Sequence, residues 1–171
     1  MTLHTTDGCK MNVRRKETGD VLETNCLNST NSNAGCGVQG PAETIGEAFN
    51  NNGGGVYATE WRDAGIRIWF FRRDSIPDDI TSNSTTTSPD PSTWGSPIAD
   101  FPSTNCNIGD HFRNASIIMN IDLCGDWAGS TAVYSTADSC PGTCTDFVAN
   151  NSTAFEEAYW EVKSFRVYTA S

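Results

Sequence analysis

Short apolar runs divided by Gly-, Asn- and Ser-rich stretches dominate this chain, and the better-ordered runs repeat with a period of two. Gly53-Gly54-Gly55 opens onto Val56-Tyr57-Ala58-Thr59-Glu60-Trp61, followed by Arg62-Asp63-Ala64-Gly65 and then Ile66-Arg67-Ile68-Trp69-Phe70-Phe71. Two β-rich runs around a Gly-containing turn predict a hairpin. Alternation then puts Tyr57, Thr59 and Trp61 on one face and Glu60 on the other. Residues 116–123 (SIIMNIDL) predict a further strand. Trp160, Val162, Phe165 and Val167 alternate in a last one, with a phase slip at Ser164 that predicts a bulge.

Helix is scarce. Residues 143–150 have room for two turns, and Thr153 to Glu156 has capping-box spacing. The stretch from Ile76 to Asn105 is rich in Ser, Thr, Pro and Asp and has the composition of a linker. Trp94 and Phe101 within it, and Cys106 just beyond, argue instead for a long loop pinned to one domain. Many short strands, polar turns and few helices predict an antiparallel β-sandwich. At 171 residues the chain fits one domain, 1–171.

Charge narrows the partners. A net charge of −10, with basic residues grouped only at Arg14-Arg15-Lys16 and Arg72-Arg73, argues against nucleic acid and against an anionic membrane surface. No apolar run approaches membrane-spanning length. The seven cysteines (Cys9, Cys26, Cys36, Cys106, Cys124, Cys140 and Cys144) show no zinc spacing, and only His4 and His111 could assist them, so no metal site is expected. An oxidised, secreted framework is the better reading. Asn-x-Ser/Thr sequons at Asn28, Asn83, Asn114, Asn150 and Asn151 agree with it. The odd cysteine is either free or paired beyond this chain. Met1-Thr-Leu-His-Thr is not a signal peptide, which leads us to expect further sequence upstream.

Five Trp, four Tyr and eight Phe are more aromatics than a small core requires, and flat rings beside amides and carboxylates suit the C–H faces and hydroxyl rim of sugars. Trp127, in the Gly125-Asp126-Trp127-Ala128-Gly129 turn, is a candidate for display, whereas Trp61, Trp69 and Trp160 lie in strands where a core role is the commoner one. Glycoside hydrolysis requires two carboxyls, about 5–5.5 Å apart for retention. None of the 21 acidic residues falls in a Glu-x-Asp-x-Glu or Glu-x-Asp-x-x-Glu strand. Glu157/Glu161, Glu43/Glu47 and Asp78-Asp79 are not credible pairs. Neither a Gly-x-Ser-x-Gly elbow nor a phosphate-binding glycine loop is present.

Residues 1–9 (MTLHTTDGC), Gly35-Cys36-Gly37-Val38, residues 49–61, residues 66–71, Cys124-Gly125-Asp126-Trp127-Ala128-Gly129 and Tyr159-Trp160 together resemble, in order, the fungal laminarinase-like branch of glycoside hydrolase family 16. The resemblance implies a concanavalin A-like, antiparallel β-jelly-roll sandwich that cleaves β-1,3 and mixed β-1,3/1,4-glucans with retention. It implies no cofactor, a monomer in the intact enzyme, and catalytic glutamates on a strand just before the segment matching Met1 to Cys9. On that reading the chain is N-terminally truncated and contributes no catalytic residue. It also assigns substrate binding to His4, Tyr57, Trp61, Asn120, Asp126 and Trp127. The alternatives are a glucan-binding protein without hydrolytic activity and a ligand-free extracellular sandwich.

Overall fold

The computed structural model describes residues 1–81 and 88–169. The Asn83 sequon lies outside them. The chain packs as two compact units, Met1–Ala115 and Ser116–Ser171.

The first unit holds two small antiparallel sheets. Strands β1 (Thr2–Leu3), β2 (Asp20–Val21) and β3 (Cys36–Gln39) associate in the order β1-β3-β2. Strands β4 (Gly55–Arg62), β5 (Gly65–Arg72) and β6 (Ala99–Pro102) associate in the order β4-β5-β6. β4 and β5 are the expected hairpin, closed by Asp63-Ala64 and paired without a break from Gly55↔Arg72 to Arg62↔Gly65.

The register sorts side chains into rows. Trp61, Ile66 and Phe101 pair in one row across the sheet, and Glu60, Arg67 and Asp100 pair in the next, on the opposite face. The first face carries the core: Ile66, Ala99 and Phe101 pack with Val38 of β3, Met11, Ile108 and the cysteines Cys9, Cys26, Cys36 and Cys106. Two disulfides, Cys9–Cys106 and Cys26–Cys36, lie within that cluster.

The segment with linker composition belongs to the first unit throughout its described residues. Trp94 stands edge-on to Trp69 at 5.3 Å and to Phe71 at 5.7 Å. Its indole N–H donates to Asp79, which sits on the short helix α2 (Asp78–Thr81), the first helix of the unit being α1 (Gly46–Asn51). Phe101 is fully buried on β6, a strand that the Ser- and Pro-rich composition conceals. Trp69 is in the core as expected, at 4% exposure, but Trp61 remains 46% exposed at the hairpin end.

Short turns make up the second unit: the helices Gly125–Ala128 and Cys144–Asn150, a π-helical turn at Thr131–Ala137 and a single 3-10 turn at Ser152–Phe155. The helix expected near 143–150 is present, and Thr143 caps it by accepting from Asp146 N–H. The capping box expected at Thr153 does not form, because the 3-10 turn starts at Ser152 with no side-chain cap. A third disulfide, Cys124–Cys144, braces the unit, and Cys140 is the free thiol.

Two strand expectations are corrected here. Neither 116–123 nor 159–168 joins a ladder among the described residues. Alternation specifies the faces of an extended segment, but a strand exists only through hydrogen bonds to a neighbour. A side-chain bond links these segments, from Trp160 Nε1–H to the Asn120 carbonyl at 3.1 Å. Trp160, expected in the core, is 60% exposed.

Candidate functional site

The predicted site residues divide between the two units, three in each. In the first unit, His4 follows β1 and is exposed, and its Nδ1–H donates to Asn33 Oδ1 at 2.9 Å. Gly35 makes room for this. Its φ is +65°, and a Cβ there would lie 2.5 Å from the Leu3 carbonyl and 2.8 Å from His4 Nδ1.

Tyr57 and Trp61 share a face of β4, as alternation requires, and Glu60 points the other way. That shared face also carries Ile66 and Phe101 of the core, while Tyr57 and Trp61 are 50% and 46% exposed. Tyr57 is fixed at its tip, where its hydroxyl donates to the Thr44 carbonyl, and its ring packs against Phe70 at 5.1 Å. Burial holds the phenol above its ordinary pKa, and the Thr44 bond opposes that shift.

In the second unit, Trp127 lies on the Gly125–Ala128 helix and is 74% exposed. Its turn is tight. Cys124 has φ +74°, and a Cβ on Gly129 would lie 2.8 Å from the Gly125 carbonyl, so position 129 accepts no side chain without a shift. Ser130 Oγ donates to the Trp127 carbonyl at 2.8 Å and accepts from Val133 N–H, which locks the exit. Asp126 is exposed in the first turn of the same helix. Asn120 is exposed as well, and its Nδ2 donates to Asp122 Oδ1 at 3.0 Å. The indole of Trp160, bonded to the Asn120 carbonyl, adds a second exposed aromatic that residue type alone assigned to the core.

The acidic side chains with the most structured surroundings are ones the sequence did not single out as a group. Glu17 and Arg15 pair at 3.0 Å with side chains 5% and 3% exposed. Glu17 Oε2 accepts from Asp100 N–H at 2.9 Å, and Asp100 Oδ2 accepts from Lys16 N–H at 3.2 Å. Arg67 joins Glu60 at 2.9 Å and Asp100 at 3.3 Å across the sheet. The Arg15 guanidinium lies 5.8 Å over the Phe101 ring.

Burial pushes the Glu17 carboxyl above its ordinary pKa, opposed by the Asp100 N–H bond and the Arg15 charge. Each of these carboxylates is committed to a cation or an amide, which is an arrangement for fixing strands rather than for attacking a substrate. The register of three strands brings Glu60, Arg67 and Asp100 together, and residues 15–17 pack against Asp100 from outside the sheet, so no local pattern in the sequence shows the group.

A cavity of ≈ 290 Å³ in the first unit is lined by Glu43, Trp69, Phe71, Arg72, Ser75 and Trp94 among others, and none of the six predicted residues lines it. Among the described residues there is no cluster of three or more His, Cys, Asp or Glu able to hold a metal ion. No helix among them is long and apolar enough to cross a membrane.

Comparison with known proteins agrees with these motifs. The chain is 54% identical to a probable glycosidase of Schizosaccharomyces pombe, over 98% of this chain and 40% of that protein. It is 42% identical to an endo-1,3(4)-beta-glucanase of Arthroderma benhamiae, over 97% of this chain and 37% of that protein. Among solved structures, GH16 Laminarinase 16A from Phanerochaete chrysosporium superposes with a TM-score of 0.86 at 46% identity. That superposition covers 94% of this chain and 54% of the laminarinase chain, which was solved with two β-glucans in donor and acceptor sites.

The likeness places the fold in the antiparallel β-jelly-roll class, in keeping with the two antiparallel sheets and few helices. The chain spans about half or less of the length of these relatives. The family described as an XgeA-like, catalytic GH16 domain matches residues 1–168, and the chain belongs to that family.

Proposed function

We propose that this chain is the polysaccharide-gripping portion of a secreted endo-1,3(4)-β-glucanase. The whole enzyme hydrolyses O-glycosidic bonds of β-glucans with retention. In that reaction one carboxylate attacks the anomeric carbon and a carboxylic acid protonates the leaving oxygen; the acid, now a carboxylate, then activates the water that releases the sugar. The chain's own residues hold the glucan. In the second unit Trp127 offers an open indole face to a pyranose ring, with Asn120 and Asp126 as its hydrogen-bonding groups. In the first unit the family resemblance assigns the same kind of role to His4, Tyr57 and Trp61.

The family match over residues 1–168 carries this reading. The solved relative with β-glucans in its donor and acceptor sites supports the choice of ligand. Three disulfides support an oxidising, extracellular setting. The sequons at Asn28, Asn114, Asn150 and Asn151 are all exposed, as glycan attachment requires.

A second reading, a β-glucan-binding protein without hydrolysis, is favoured by one observation. The structured carboxylates Glu17, Glu60 and Asp100 are all engaged with cations or amides. Isothermal titration with laminarin oligosaccharides tests the gripping claim. Saturable binding that weakens in Trp127→Ala and survives in Trp69→Phe supports it. Absence of any saturable heat with the oxidised protein would sink it.

A further inference from the structure

β6 pairs with only part of β5. Its ladder runs from Gly65↔Pro102 to Ile68↔Ala99 and stops, whereas β4 follows the other edge of β5 as far as Arg72. Residues 69–72 are thus open on the β6 side among the described residues. The chain before β6 is tied by other bonds: Trp69 Nε1–H donates to the Gly95 carbonyl at 3.2 Å, and Thr18 N–H donates to the Pro97 carbonyl at 3.0 Å. The cavity of ≈ 290 Å³ lies along this open edge, lined by Trp69, Phe70, Phe71 and Arg72 of β5 and by Glu43 and Trp94 among others.

Several polar groups of this lining lack partners. Arg62 and Gly65 pair across a two-residue turn, so Trp69 and Phe71 exchange backbone hydrogen bonds with β4, and the Phe70 amide and carbonyl point to the open edge. Neither has a partner among the described residues. The Glu43 carboxylate has none among them either. Arg72 turns its Nε to Asp74 at 3.4 Å, which leaves its two terminal amines without one. The indoles are different. Trp69 is bonded to Gly95 and Trp94 to Asp79, and Trp94 stands edge-on to both Trp69 and Phe71. Their N–H groups are occupied, so the rings are held in place and contribute apolar surface.

We propose that this cavity is a second saccharide site, which takes one terminal or branch pyranose of a neutral glycan. Sugar rings have apolar C–H faces and hydroxyls that both donate and accept, and the lining answers each feature. Trp69, Phe70, Phe71 and Trp94 supply ring surface. Glu43 only accepts, Arg72 only donates, and the Phe70 backbone does both. One carboxylate and one guanidinium carry no net charge, and Asp74 beside Arg72 disfavours an anion. The volume sits at the bottom of the range of about 300–1,000 Å³ for small-ligand cavities, which suits a single ring rather than a glucan running through. All the lining residues belong to the first unit, and none is among the six gripping candidates. The inference therefore goes beyond the gripping proposal and stands independently of it.

The test titrates laminaribiose into the isotope-labelled, oxidised 171-residue protein and follows N–H signals by NMR. The indole signals of Trp69 and Trp94 and the Phe70 amide signal are expected to move together and to saturate in the millimolar range. Glu43→Ala removes a carboxylate that holds nothing in the fold, so the remaining spectrum should stay in place while the affinity falls about tenfold. The Trp127 indole signal reports the gripping residues separately, so failure of either site is visible on its own. The proposal is overturned if laminaribiose moves neither the Trp69 nor the Trp94 signal, or if Glu43→Ala binds as tightly as wild type. A larger response of these signals to phenol than to laminaribiose would assign the cavity to apolar ligands and overturn it equally.

Discussion

Phe101, on β6, has no exposed surface, while Phe165, near the other end of the chain, keeps 57% of its own in solvent. The contrast holds for the two units as wholes. Met1–Ala115 contains two sheets, a core shared between them and two disulfides inside that core. In Ser116–Ser171, Ile117, Ile118, Met119, Ile121, Leu123, Val162, Val167 and both Trp residues are 44–78% exposed. The second unit's composition is more apolar than the first's, so a shortage of apolar residues is not what separates them. Pairing is. Where strands have neighbours, alternation becomes an inside and an outside, and where they do not, the same alternation stays in water. An apolar surface of this extent is the mark of an interaction face.

The comparison breaks most severely if core removal costs the same in both units. Phe101→Ala should destabilise the first unit by about 3–5 kcal/mol, whereas Phe165→Ala should stay within about 0.5 kcal/mol, read by denaturant titration of the oxidised protein. The disulfides sharpen it next. Cys9–Cys106 closes a separation of 97 residues and Cys124–Cys144 one of 20. In the chain-entropy account, opening the first by paired Cys→Ser changes costs about 4–5 kcal/mol and opening the second about 3 kcal/mol. Equal losses would contradict the assignment of the long cross-link to the core.

A smaller effect concerns ligand rather than fold. Trp127→Ala is expected to weaken laminarin binding about tenfold, about 1.4 kcal/mol, with little change in stability because the indole is already exposed. A large loss of stability in that variant would place the side chain in a structural role instead.

The smallest expected effect is on pH dependence, and it belongs to the first unit. The folded-state pKa of Glu17 is raised above 4.5. Between the unfolded and folded pKa values the native state therefore binds more protons, and stability falls as pH rises through that window. Glu17's favourable contribution is fully present below the unfolded value and is lost as pH passes the folded one. Glu17→Gln mimics the neutral carboxyl at every pH, so its stability lacks this fall. Relative to the variant, wild type should lose stability as pH is raised from 4.5, read by denaturant titration. A wild type that gains on the variant over that rise would reverse the sign assigned to this group.

The hairpin was legible because its signals are local: β-branched and aromatic alternation on both arms and a turn with Gly65 at its end. The Cys144–Asn150 helix was legible for the same reason, since Thr143 caps it from the adjacent position. β6 was not, because Ala99-Asp100-Phe101-Pro102 is too short to show a period and sits in a stretch of loop composition. The segment 116–123 read as a strand because its side chains alternate, and nothing in alternation says whether a partner is present.

Among the candidate binding residues, the sequence located the displayed indole of Trp127 through its flanking glycines. The Trp160 bond to the Asn120 carbonyl escaped it because the two residues are 40 apart. The contact of residues 15–17 with Asp100 and the Glu60–Arg67–Asp100 group escaped it for a related reason: they join separate segments that only tertiary packing brings together.

The most direct measurement is a paired assay on the oxidised 171-residue protein, with laminarin binding by calorimetry and release of reducing ends in the same solution. The account predicts saturable binding and no release of reducing ends above buffer. Release that scales with protein concentration and disappears in a Glu or Asp variant of this chain would contradict it, by placing the bond-breaking carboxylates within these 171 residues.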